Sequence, residues 1–198
     1  MRFFPPDHSI YICTRCLAAF KDTRKALICP ECGHVGKQSD AEAYGGIRVI
    51  TDTREQLAFH FPPWVTNTVD TLHTADYALD TDPPCCLIER KSKADLYGSL
   101  TRGRARLEAE FIRMMGDPMS TVLIECSWAE ILVPLEWEDG NGKMNTSKVN
   151  PTMIVNSLIS WQMKYGIRIV CCDTRKLARD WALKYLELAW KYHVRGVE

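Results

Sequence analysis

The chain has 198 residues, 46% of them apolar, with six Trp and 25 basic against 25 acidic side chains. That size supports one sizeable domain with a small satellite, and the apolar fraction excludes a disordered chain. Zero net charge excludes a bulk polycation, so a nucleic-acid partner has to be argued from local charge.

No apolar run is long enough to span a membrane, and Met1-Arg2-Phe3-Phe4-Pro5-Pro6-Asp7 lacks the apolar core of a signal peptide. Nine cysteines, an odd number, suit a reducing compartment rather than a disulfide framework. A soluble, intracellular protein with no membrane partner is expected.

Residues 1–43 form a segment of their own. Cys13-x-x-Cys16 and Cys29-x-x-Cys32 are separated by twelve residues. Each pair suits a tight knuckle, and four thiolates suit tetrahedral Zn²⁺. Pro30 and Gly33 favour the second knuckle. The reading is a four-cysteine zinc ribbon, against a redox dithiol, with His34 a weaker substitute ligand. Six basic and five acidic residues in 1–44 leave the ribbon nearly neutral, so a folding staple or docking module is as good a reading as a phosphate binder. Gly36 to Asp40 reads as a linker.

The second domain, residues 44–198, alternates strands and helices. Ile47 to Thr51 predicts a strand ending at Asp52, followed by a loop broken at Pro62-Pro63. Asp76 to Asp80 predicts a second strand, and Cys85 to Lys91 a third. Ser92 suits the N-cap of a helix with Asp95 at its third position. A helix over 104–115 places Leu107, Phe111 and Met114 on one face and stops at Gly116. Ser120 to Cys126 predicts a buried strand, and polar, Gly-rich 138–149 a mobile loop. Asn150-Pro151 opens a helix that Gly166 closes, and Ile167 to Cys172 predicts another strand. Asp173-Thr174 caps a last helix, where Leu177, Trp181, Tyr185, Leu188 and Tyr192 predict a core stripe and Trp190 lies off it. Strands separated by helices predict an α/β sandwich around a mostly buried sheet.

The chemistry-bearing residues gather at strand ends. Leu87-Ile88 runs straight into Glu89-Arg90-Lys91, and alternation puts Glu89 and Lys91 on one face. Asp52 and Asp76 end or begin neighbouring strands. Taken singly, Asp52 suits a turn or cap, Asp76 a solvated strand edge, and Glu89 with Lys91 a same-face ion pair. Together they suit a shared hard cation, Mg²⁺ or Mn²⁺, with Lys91 positioning water or stabilising developing charge.

These residues resemble the motifs of XPF-type structure-specific DNA endonucleases. Asp52-Thr53-Arg54-Glu55 resembles their Asp-x-Arg-Glu motif, Ala75-Asp76-Tyr77 their Gly-Asp-Tyr element, and Glu89-Arg90-Lys91-x-x-x-Asp95 their Glu-Arg-Lys-x-x-x-Asp signature. Gly98-Ser99-Leu100 with Gly103-Arg104, and Ser157 through Ile167, extend the likeness over roughly 45–193. The resemblance implies a restriction-endonuclease-like mixed sheet flanked by helices, of the PD-(D/E)xK class. It implies Asp52, Asp76 and Glu89 as metal-binding acids and Lys91 as the catalytic lysine. Arg54, Glu55, Arg90 and Asp95 would support them. It also implies a homodimer through the nuclease domain. Ala75 departs from the family's glycine, and Asp80-Thr81-Asp82-Pro83-Pro84 adds a turn. Family members commonly carry a C-terminal tandem helix-hairpin-helix domain, and this sequence runs to Glu198 without one.

Between residues 86 and 106, six basic residues face two acidic ones. Lys93, Arg102, Arg104 and Arg106 are therefore expected to grip phosphates, against the reading of a solvated helix end. His60 and His73 read as surface or packing residues, and Cys85-Cys86 and Cys171-Cys172 as core thiols. The expected function is a divalent-metal-dependent endonuclease cutting branched, flap or forked duplex DNA, with a zinc ribbon. The rivals are an inactive nuclease-like scaffold and a resolvase- or restriction-like nuclease of another specificity.

Overall fold

The computed structural model describes residues 10–12, 19–21, 27–28, 35–36, 47–62 and 64–194. They fall in two compact units, Met1–Ile47 with Phe61–Thr66, and Arg48–His60 with Asn67–Glu198. In the first unit β1 (Ile10–Ile12) pairs antiparallel with β2 (Ala19–Lys21), and β3 (Leu27–Ile28) with β4 (Val35–Gly36). Cys13, Cys16, Cys29 and Cys32 belong to the two connections and lie outside the described residues.

The second unit carries β5 (Arg48–Asp52), β6 (Thr66–Asp70), β7 (Tyr77–Leu79), β8 (Cys85–Lys91) and β9 (Thr121–Ile124), then a hairpin, β10 (Glu136–Glu138) with β11 (Met144–Thr146), and β12 (Arg168–Cys171). Six strands form one sheet in the order β12-β9-β8-β7-β5-β6. β8, β9 and β12 are parallel, whereas β7 is antiparallel to both β8 and β5. The C-terminal ends of β5, β8, β9 and β12 therefore share one sheet edge with the N-terminal end of β7. Asp52, Asp76 and Glu89 all lie on that edge.

The helices are α1 (Lys93–Leu100), α2 (Arg104–Met114), α3 (Trp128–Ile131), α4 (Pro151–Tyr165) and α5 (Arg175–Ala189), the last running into a π-helical turn, Trp190–Val194. Their starts follow local chemistry. Ser92 accepts from the Asp95 N–H, Ser127 and Glu130 form a capping box, and Asn150 caps α4 ahead of Pro151. Gly166 ends α4 at φ 66°, a left-handed conformation that glycine adopts without a side-chain clash.

Leu107, Phe111 and Met114 of α2 pack with Ile154, Leu158, Trp161 and Tyr165 of α4 on Val122, Ile124 and Ile169 of the sheet. Phe111 meets Trp161 edge-on at 5.4 Å between ring centroids, an arrangement that aromatic quadrupoles favour. α5 packs on β8 and β9 apart from this cluster. The sheet is thus flanked by helices, and mixed rather than all-parallel.

Three expectations need correction. β6 falls where a loop is expected; its polar run Thr66-Asn67-Thr68-Val69-Asp70 lacks a clear apolar alternation because it is an edge strand, tied to β5 by the Thr51 hydroxyl on Asn67 (2.8 Å). The 138–149 loop is instead largely a hairpin. Asp139 Oδ1 accepts the Asn141 and Lys143 N–H groups, and Gly142 takes φ 78°, which is the turn chemistry of an Asp-Gly-Asn-Gly run. On α5 the buried face is Ala178, Ala182, Leu183, Leu186 and Ala189, whereas Leu177 and Tyr192 are exposed. Alanines allow the closer helix–sheet approach, so the larger aromatic stripe turns outward.

Phe111 is 1% exposed at the centre of the main cluster. Phe111→Ala is expected to lower unfolding free energy by about 3–5 kcal/mol, through lost burial and an uncollapsed cavity. Urea titration checks this.

Candidate active site

Asp52 ends β5 fully enclosed by donors. Its Oδ1 accepts the Arg54 N–H (2.8 Å) and Nε (2.7 Å), and its Oδ2 accepts Arg54 Nη2 (2.9 Å) and the Leu72 N–H (2.8 Å). Burial alone raises its pKa, but Arg54 and the two backbone donors outweigh burial and hold the carboxyl below its ordinary value.

Asp76, opposite it at the start of β7, is in the reverse situation. Its Oδ2 accepts the Arg90 N–H (2.7 Å). Burial is the largest influence, with the Glu55 charge adding to it, and the pKa rises to about 6. Glu89, 4% exposed, sits next to it on β8. Burial first, then the Asp76 charge, push its pKa up to about 8 even though Lys91 Nζ donates to its Oε1. Burial works against the Lys91 ammonium, and the surrounding Glu89, Glu110 and Asp76 charges more than restore it, so its pKa is raised. The structure thus brings Asp76, Glu89 and Lys91 together on one face of the sheet edge.

Asp52 lies beside Asp76 through the backbone, its N–H donating to the Asp76 carbonyl at 2.8 Å. Its contacts are taken by Arg54 and Leu72, and no group of three His, Cys, Asp or Glu side chains converges as a metal cage among the described residues. Asp76 and Glu89 are the two acids gathered beside Lys91 in the metal-free chain. Two carboxylates suit Mg²⁺, which usually keeps waters and takes one or two protein carboxylates plus substrate phosphate.

Arg90, between Glu89 and Lys91, points to the opposite face. Its guanidinium donates to Glu55 (Nε to Oε2 3.0 Å, Nη2 to Oε1 3.2 Å) and to Glu125 Oε2 (3.0 Å). Glu125 also accepts Arg175 Nη1 (2.8 Å). Glu55, Arg90 and Glu125 are 4%, 9% and 8% exposed. Glu125 and Arg175 escape sequence reasoning, although an acid directly after the buried β9 run is the same signal that marks Glu89. Glu110 escapes too. It lies three residues after Leu107 on α2, at the margin of the buried stripe, and its charge acts on Glu89 and Lys91.

Asp95 is exposed at the start of α1, where its Oδ2 accepts the Ser92 hydroxyl (2.7 Å). With Lys91, Arg102 and Arg106 it lines a groove of about 470 Å³. Lys93 lies over the Tyr97 ring at 5.9 Å. Arg104 is placed elsewhere, against Glu108 (3.0 Å), Ser157 (3.0 Å) and the Trp161 ring (4.9 Å). Two residues along a helix turn about 200°, so an Arg-x-Arg pair inside one cannot serve one track.

Ala75 takes φ 71°, and Cys86 φ 56° where the β7–β8 register shifts. Both flank the acids. An alanine in the left-handed region costs roughly 1–2 kcal/mol, which gives the motif's glycine a physical reason.

Residues 50–185 match the model of the ERCC4 domain. The chain belongs to the ERCC4 domain family. No curated protein matches it significantly. XPF from Aeropyrum pernix is 21% identical, with TM-score 0.49 over 72% of this chain and 63% of that one. XPF from Aeropyrum pernix in complex with DNA is 19% identical, with TM-score 0.52 over 73% and 66%. The latter likeness shows the fold of this ERCC4 domain. The chain spans a little under two thirds of the length of these structures.

Two outcomes are expected. Ala75→Gly should stabilise the domain by up to about 1 kcal/mol, the strain relief being partly offset by glycine's extra chain entropy; a loss of stability in urea would refute the strain. Asp76 and Glu89 have folded pKa values above their ordinary 3.8 and 4.5, so the folded chain binds extra protons. Their contribution to metal-free stability should therefore be full below about pH 4 and be lost as pH rises towards 8. Glu89→Gln should flatten the upper part of that slope in urea melts run in EDTA.

Proposed function

We propose that this ERCC4 domain is a divalent-metal-dependent DNA endonuclease, acting near a branch, flap or fork. The observation that carries the reading is the Asp76–Glu89–Lys91 cluster. Two carboxylates on adjacent strands have pKa values raised first by burial, the Asp76 charge adding to it at Glu89, and a lysine is held beside Glu89. Buried acids that favour protonation in this way make a poor stability device and a good cation site. The DNA in the Aeropyrum pernix complex supports nucleic acid as the ligand class.

Asp76 and Glu89 would hold Mg²⁺ or Mn²⁺. When bound, such a cation lowers the pKa of a bound water and neutralises charge on a phosphoryl oxygen. Lys91 Nζ, fixed against Glu89, presents its positive charge to the scissile phosphate and the attacking water. Asp52 acts differently: it locks Arg54 and the Leu72 backbone, and so shapes the wall of the site. Arg102 and Arg106, beside Lys91 in the groove, would carry the phosphates that lead into it.

Cys13, Cys16, Cys29 and Cys32 are proposed to bind structural Zn²⁺ in residues 1–43, with the nuclease domain in 44–198. The paired Cys-x-x-Cys spacing supports this. The half-exposed α5 stripe, where Trp181 stacks on Tyr185 at 4.6 Å, supports a homodimer through that face. No described helix is long and apolar enough to cross a membrane.

The test is cleavage of labelled fork, flap, four-way junction, linear duplex and single-stranded DNA with Mg²⁺, Mn²⁺ or EDTA. Metal-dependent cutting is expected, falling about 100-fold or more in Glu89→Gln and in Lys91→Ala. An inert wild-type protein would sink the enzyme reading; equal cutting by the variants would sink the site. Because the cation must displace protons from Asp76 and Glu89, Mn²⁺ affinity by calorimetry should rise from pH 6 to pH 8. It should be lost in Asp76→Ala and largely kept in Asp52→Ala.

A further inference from the structure

A cleft of about 640 Å³ lies beside the Arg90 network, on the sheet face opposite Lys91. One wall is the segment Glu55 to His60. The other is the start of α5, through Arg175, Lys176 and Arg179. Arg175 joins the walls: it donates to Glu125, to the Leu57 carbonyl and to the Ala58 carbonyl (3.3 Å), and lies 5.1 Å over the Phe59 ring. Phe59 in turn stacks on Tyr77 at 4.9 Å, next to Asp76 in β7. The cleft is therefore built into the frame of the site.

Its charge is not balanced. Glu55, the acid in the lining, is occupied by Arg90 and by the Leu57 N–H (2.7 Å). Arg179 holds Asp180 at 2.5 Å, on the exposed side. Lys176 is exposed and takes part in none of the ion pairs among the described residues. Above these cations stand an exposed imidazole, His60, and Leu57 at 65% exposure. Cations beside an apolar ledge and an aromatic ring are what a single strand needs, phosphates on the charge and bases on the flat surfaces. A cleft of this volume holds about one or two nucleotides and does not admit a duplex.

We propose that this cleft binds a single-stranded nucleic-acid segment, with phosphates on Lys176 and Arg179 and a base against Leu57 and His60. The proposal rests on the nuclease reading, in which one unpaired arm of a branched substrate leaves the cutting site over the opposite face. It assigns to the nuclease fold itself a means of choosing branched over plain DNA.

The experiment is fluorescence anisotropy of the full chain in EDTA, with a labelled fork and a fully paired duplex of equal length. Lys176→Glu is expected to weaken fork binding roughly fivefold or more while changing duplex binding less than about twofold. Lys176→Arg should restore the fork, and His60→Ala should reproduce part of the loss through stacking alone. Equal losses on fork and duplex, or none on either, overturn the proposal. Metal-dependent cutting by the wild type separates the two ideas: cutting together with an unaffected fork removes the cleft alone, whereas no cutting and no binding remove both.

Discussion

The site depends on a buried chain of charges, Glu55–Arg90–Glu125–Arg175. It alternates in sign, and its first three members are nearly closed to solvent. Such a chain is costly to desolvate and adds little net stability, but removing one member strands the others and costs about 3–5 kcal/mol. What it supplies is direction. Arg90 is fixed to the end of β9 through Glu125 and to the segment after β5 through Glu55. With Arg90 pinned to one face, strand alternation sends Glu89 and Lys91 to the other. The face that carries Glu89 and Lys91 is set from behind.

Asp52 and Asp76 show how local donors divide two like residues between structure and chemistry. They face each other across β5 and β7, the Asp52 N–H donating to the Asp76 carbonyl at 2.8 Å. Asp52 collects an arginine and two backbone N–H groups, so its charge is neutralised in place. Asp76 collects one N–H and the field of Glu55, so its charge is left wanting a partner. The first arrangement stabilises a turn. The second costs stability in the metal-free chain, and such a cost persists where it serves a ligand.

Much of this was legible in the sequence, for a definite reason. A buried strand that ends abruptly in charge is rare, so Asp52, Asp76 and Glu89-x-Lys91 stand out, and all reach the same sheet edge. Caps at Ser92, Asn150 and Thr174 are local signals and hold in the structure. Illegible features depend on partners far along the chain. That Asp52 is saturated requires Leu72 to come within reach. That Glu110 faces Lys91 requires the angle of α2. The polar edge strand β6 has no apolar face to reveal it. The outward turn of Trp181 and Tyr185 depends on the packing distance that Ala178 and Ala182 permit. Side-chain type marks where chemistry is placed; packing decides which charges remain free for it.

Zero net charge then has a structural meaning. At this sheet edge Asp76 and Glu89 lie beside Lys91, and Glu55 and Glu125 lie in the buried chain, where arginines cancel them. Among the described cations near this edge, Arg102 and Arg106 line the groove beside Lys91, and Lys176 lines the cleft on the other face. A polyanion approaching the edge meets positive charge on both sides and a negative centre able to hold a cation between them. On the proposed function, attraction at the rims with repulsion at the centre would hold a phosphate chain close while leaving room for a metal. A uniformly basic surface would bind DNA more tightly but would not reserve that central position for a metal.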